Sequence, residues 1–225
     1  MVKLPVIVYN RKSQEDVYAD AYTIRNKLEA QAKWEQEQNG GNYIRPIVLF
    51  QAQPRNSEDS TTYEKIKKTL MDAGIPEREI AIKTGDKDEL KKVNLLSPEC
   101  PIRYIITVNA LKEGWDCPFA YVLATVANRS SAVDVEQILG RVLRLPYTRK
   151  NTREVLNLSY VITSSADFTA TVDKVVKGLN SAGFSSQDCR VQDTDSTNSE
   201  AQVSLAEQLP LAPLAADELD MPEVN

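Results

Sequence analysis

The feature that most limits the fold is a set of short apolar runs with no polar alternation, such as LPVIVY at 4–9 and IVLF at 47–50. A strand that is apolar on both sides has to be covered on both faces, which is the situation of a parallel sheet. The segments between the runs supply the cover. Ser13-x-x-Asp16 has the form of a capping box, and Val17, Ala21, Ile24 and Leu28 then recur at helical spacing until Asn39-Gly40-Gly41. Tyr63, Ile66 and Leu70 mark a second helix that stops at Gly74. Strands are expected further along at 80–82, 104–108, 121–126 and 155–162. Helices are expected at 87–92, from Ser131-x-x-Asp134 to Pro146, and at 168–179 with an end near Gly183. Such alternation with short connections predicts an α/β domain: a mostly parallel, twisted sheet with helices on both faces.

Composition removes several kinds of chemistry. The chain has no histidine, which excludes every Ser-His or Cys-His nucleophile scheme. Cys100, Cys117 and Cys189 stand far apart without a CxxC, so neither a zinc site nor a disulfide framework is expected, and the cytoplasm is the expected compartment. No apolar run approaches the length of a membrane span, and the N-terminal stretch lacks signal-peptide architecture. The net charge of −5 hides an uneven distribution. Residues 191–225 hold eight carboxylates and no Lys or Arg, which leaves 27 basic against 24 acidic residues in 1–190. A mildly basic body with an acidic tail is compatible with nucleic-acid binding. The tail, rich in Ser, Asp, Asn, Ala and Pro, has too little apolar surface to offset ordering and is expected to be flexible.

Two segments carry the candidate chemistry. In VEQILGRVLRL (135–145), read as a helix, Gln137, Arg141 and Arg144 fall in a sector of roughly 60°. Val135, Ile138, Leu139, Val142 and Leu145 cover the opposite face. Gly140 beside the polar stripe costs about 1 kcal/mol of helix stability relative to Ala, which close approach of a ligand or another segment would explain. On spacing alone, a solvated face with two arginines is the plainer account. In IITVNALKEGWDCP (105–118) a strand runs into a polar loop with Gly114 and Asp116, at the kind of strand end where open α/β sheets place ligands. On its own, that loop is equally an ordinary turn.

Together, in this order and spacing, the two segments resemble motifs V and VI of superfamily 2 helicases. Gln137, Gly140, Arg141 and Arg144 match a Q-x-x-G-R-x-x-R string, and Asn109 to Pro118 (NALKEGWDCP) is similar to the V-type string of excision-repair helicases. The E-G-W-D-x-P form with a following G-R-x-L-R-L-P most resembles the Res subunit of type III restriction enzymes. Ile47 to Gln51 would be motif IV, with Thr84-Gly85 a weaker counterpart of the intervening motif. The resemblance covers roughly residues 45–165.

The resemblance implies a second, C-terminal RecA-like lobe over 1–190, made of a strand and long helix (1–44), the motif region (45–165) and a closing helix (166–190), with the tail at 191–225. Such a lobe closes against an N-terminal RecA-like lobe over ATP and a nucleic-acid strand. Arg141 and Arg144 would reach the γ-phosphate, one as arginine finger, an effect worth about 10³–10⁵ in rate. Gln137 would join the same network, and Gly114, Asp116 and Gly140 would line the nucleotide. Gln51, Thr84, Gly85, Thr107 and Asn109 would face the nucleic-acid backbone, with duplex DNA as the track. A modification methyltransferase subunit is a further implied partner. No G-x-x-x-x-G-K-[ST] occurs, since no glycine precedes a lysine, so Mg²⁺ and the β-phosphate would be held mainly by the other lobe. Two rival readings are a non-catalytic RecA-like interaction module and a nuclease fragment built on Glu89-Leu90-Lys91.

Overall fold

The computed structural model describes residues 2–53, 62–108, 117–125, 143–164, 168–181, 183 and 185–192. Seven strands lie in one sheet: β1 (Val6–Asn10), β2 (Ile47–Gln51), β3 (Ile80–Lys83), β4 (Tyr104–Thr107), β5 (Ala120–Thr125), β6 (Ser159–Thr163) and β7 (Cys189–Gln192). Their order is β3-β4-β2-β5-β6-β1-β7, and every pairing is parallel. The helices among the described residues are α1 (Gln14–Asn39), α2 (Tyr63–Asp72) and α3 (Phe168–Ser181).

The order fixes the layers. From β1 to β2 and from β2 to β3 the chain steps toward one edge; from β3 onward it steps back toward the other. Parallel connections are right-handed, so this reversal sends α1 and α2 to one face and α3 to the opposite one. The three-layer, RecA-like α/β class expected from the sequence is the one found.

Local chemistry explains the long helix. Ser13 Oγ accepts from the Asp16 amide at 3.1 Å, and the Asp16 carboxylate accepts from the Ser13 amide at 3.2 Å. Gly40 closes the helix with φ of 60°, a left-handed conformation that costs glycine nothing. Between these ends Val17, Ala21, Ile24 and Leu28 are wholly buried against the sheet. Burying an aliphatic side chain of this size contributes roughly 1.5–3 kcal/mol. A polar network ties α1 to the start of β4: the Glu29 carboxylate accepts from Arg25 and, at 3.0 Å, from Arg103.

Four expectations are corrected. Residues 87–92 form turns instead of a helix, because their carboxylates are used on β3. Asp88 pairs with Lys83, and Glu89 accepts from the Ile82 amide at 2.7 Å. Residues 154–157 make a 3-10 turn before β6, since Asn157 accepts from and donates to the main chain of Asn151, both at 2.8 Å. The expected helix up to Pro146 does not include 143–145. Leu143 and Leu145 are buried with Arg144 exposed between them, and Arg144 forms an antiparallel bridge with Val2. Last, β7 was not expected, and it carries Val191 and Gln192 into register with Val8 and Tyr9, so the sheet passes the anticipated tail boundary at 191.

Candidate functional site

The carboxyl ends of the strands form a polar row. Lys83, Thr107, Gln51, Thr125, Thr163 and Asn10, each the last residue of its strand, are register partners across β3, β4, β2, β5, β6 and β1. The strands they end are otherwise apolar, so this one layer departs from the composition of the core beneath it.

At the centre of the row the hydrogen bonding is incomplete. Gln51 Oε1, Thr107 Oγ1 and Thr125 Oγ1 are closed to solvent and have no hydrogen-bond partner. Thr107 is 0% exposed, Thr125 2% and Gln51 5%. A buried polar group left unpaired costs about 1–3 kcal/mol, and a cluster of them at one place is a sign of a group the site is built to receive. These three oxygens also stand at a topological switch. The connection leaving β2 crosses one face of the sheet through α2, whereas the chain leaving β4 and β5 crosses the other. A crevice where neighbouring connections part in this way is the usual ligand position of open α/β sheets.

The motif-like stretches begin at the same place. The V-like stretch follows β4, and the VI-like stretch follows β5, the two strands that flank β2. Asn109, Gly114, Asp116, Gln137, Gly140 and Arg141 themselves lie outside the described residues.

Of the site residues expected from the sequence, Gln51 and Thr107 are brought together as register partners. Thr84 and Gly85 stand beyond them at the β3 edge, and Thr84 is engaged locally. Its hydroxyl accepts from the Lys87 amide at 3.0 Å, closing a tight turn. A Cβ added at Gly85 would meet nothing within 4 Å, so no close approach requires glycine there. Beside the turn, the hydrogen bond from Lys83 holds the Asp88 carboxyl below the usual range. For Glu89, burial pulls the carboxyl upward, but bonds from Lys87 and the Ile82 amide outweigh it and lower the value. Arg144 is not brought to this group. Its bridge to Val2, ahead of β1, places it toward the amino ends of the strands, a strand's length away (roughly 15–20 Å at about 3.3 Å per residue).

Thr125 was missed by sequence reasoning, because the strand was expected to run to residue 126 and the threonine was taken as one of its β-branched residues. A polar residue closing the otherwise apolar run YVLAT was the available signal.

Among the described residues no group of three or more His, Cys, Asp or Glu could hold a metal ion, and no helix is long and apolar enough to cross a membrane.

No known protein family and no curated protein matches the sequence. Solved structures do. One is S. cerevisiae Dbp5 bound to Gle1 and IP6, at 14% identity and a TM-score of 0.45, covering 85% of this chain and 42% of that one. Another is a fragment of a putative HsdR subunit of a type I restriction enzyme from Vibrio vulnificus, at 18% identity and a TM-score of 0.39, covering 86% and 37%. A third is the ATP-dependent type ISP restriction-modification enzyme LlaBIII bound to DNA, at 17% identity and a TM-score of 0.40, covering 86% and 15%. This chain therefore spans less than half the length of each of these solved chains.

Proposed function

We propose that the chain is the second motor lobe of an ATP-dependent helicase or translocase acting on DNA, of the kind found in the Res subunit of type III restriction enzymes. The observation that carries this is positional. The stretches resembling motifs V and VI leave the sheet from β4 and β5, on either side of β2, where three buried oxygens lack partners. In this reading the strand-end row, with Gln51, Thr107 and the added Thr125, lies under the nucleic-acid track, and Asn109 and the turn at Thr84 and Gly85 border it. Gln137, Arg141 and Arg144 serve a second wall that completes the nucleotide site of the partner lobe, with Gly114, Asp116 and Gly140 beside ATP. Arg144's distance from the row supports two separate walls. Mg²⁺ belongs mainly to the P-loop lobe, which this sequence does not contain.

The test is complementation. Neither this chain nor the P-loop lobe should hydrolyse ATP in a DNA-stimulated manner alone, and mixing or fusing the two should restore turnover. Robust hydrolysis by this chain after repurification would overturn the half-site assignment. A nuclease built on Glu89 gains no support, since that carboxylate is committed to the Ile82 amide and to Lys87.

A further inference from the structure

Lys3 is a lysine with 0% exposure, an uncommon situation for an ammonium group. Its surroundings explain how the charge is tolerated. Nζ donates to the carbonyl of Ala120 at 2.6 Å and to that of Pro118 at 3.0 Å, and lies 4.3 Å from the centre of the Tyr121 ring. Its own amide donates to the Leu143 carbonyl, and its carbonyl accepts from Ser159 Oγ at 3.3 Å. The neighbouring Val2 bridges Arg144.

Pro118 ends the V-like stretch, and Leu143 is the second residue after Arg141 in the VI-like stretch. A single buried residue thus holds the returning ends of both stretches against the start of β5. We propose that Lys3 is a positioning residue for the arginines of the VI-like stretch, fixing Leu143 so that Arg141 and Arg144 are presented at a set place to the partner lobe. It rests on the motor function proposed above. A rigid scaffold matters here, because displacements of about 1 Å at a catalytic group can cost up to about 100-fold in rate.

The experiment uses the two-lobe motor with Lys3→Met, which keeps the length of the side chain and removes the ammonium, alone and combined with Arg141→Ala. Lys3→Met should lower kcat by about tenfold with KM for ATP changed by less than about twofold, and it should add nothing in the Arg141→Ala background, because two changes acting through one group are not additive. Should Lys3→Met not fold, Lys3→Gln keeps a donor at the same depth and is measured in the same way. An unchanged kcat in a folded variant, a fall that multiplies with that of Arg141→Ala, or loss of folding in both variants would overturn the positioning role. Wild-type turnover in Arg141→Ala and Arg144→Ala would instead bring down the motor function itself, so the two failures are distinguishable.

Discussion

Replacing Thr125 or Thr107 by Val should stabilise this chain, the reverse of what a polar-to-apolar change usually does at a satisfied site. Val keeps the shape of Thr and exchanges the hydroxyl for a methyl. At both positions the hydroxyl oxygen is closed to solvent and unpartnered, and the residues are 2% and 0% exposed. Removing an unpaired buried hydroxyl recovers its desolvation cost, about 1–3 kcal/mol, while the surrounding apolar contacts of β4 and β5 are retained. With imperfect packing of the new methyl, a gain of about 1 kcal/mol per site is expected, or about 2–4 °C in Tm for a domain of this size. Chemical denaturation with an unchanged slope would measure it. Ser159→Ala is the control: its hydroxyl donates to the Lys3 carbonyl inside the core, so the same type of change should cost about 1 kcal/mol. A loss of more than about 1 kcal/mol in both Thr variants would show that these hydroxyls are satisfied in solution, and the row would lose its claim to be a receiving site. In the two-lobe motor the stabilised variants should bind DNA more weakly, the familiar exchange of stability against function at a site that carries unpaired groups.

Two further outcomes follow from the packing. Burial acts to raise the Glu29 carboxyl above its ordinary value of 4.5, but Arg103 and Arg25 outweigh it and hold it lower. A depressed folded value contributes stability that is present above about 4.5 and lost as the pH falls through the folded value, so Glu29→Gln should destabilise by about 1–2 kcal/mol at pH 7 and by progressively less in acid melts. A pH-independent difference would refute the linkage. Truncation after Gln192 should leave Tm nearly unchanged, whereas truncation after Asp188 should lower it by several degrees, because β7 pairs along β1 from Val6 to Tyr9. Equal melting of the two truncations would mean that β7 adds nothing.

The sheet was legible because its strands are apolar without alternation: β2 and the buried face of α1 follow directly from IVLF and from the 17-21-24-28 spacing. The misread parts have a common cause, in that local side chains compete with the expected element. Asp88 and Glu89 sit in a helix-like charged run, but Lys83 and the Ile82 amide are stronger partners for them than solvent. Asn157 brackets Asn151 and prevents strand formation at 155–157. β7 reads CRVQ, too short and too polar to signal a strand, and its place comes from the open edge of β1. The site was half legible. Gln51 and Thr107 could be named from strand ends, but their pairing with Thr125 depends on a strand order that brings β2 between β4 and β5.

The most direct test of the motor assignment is ATP turnover by the two-lobe protein carrying Arg141→Ala or Arg144→Ala. Arg144 is exposed, and its bridge to Val2 is made by the main chain, so truncating the side chain should change stability by less than about 0.5 kcal/mol. Loss of a finger that meets the transition state should lower kcat by about 10³-fold or more in at least one of the two variants, with the melting curve unchanged. Wild-type kcat in both would mean that these arginines form an ordinary solvated surface, and would contradict the assignment.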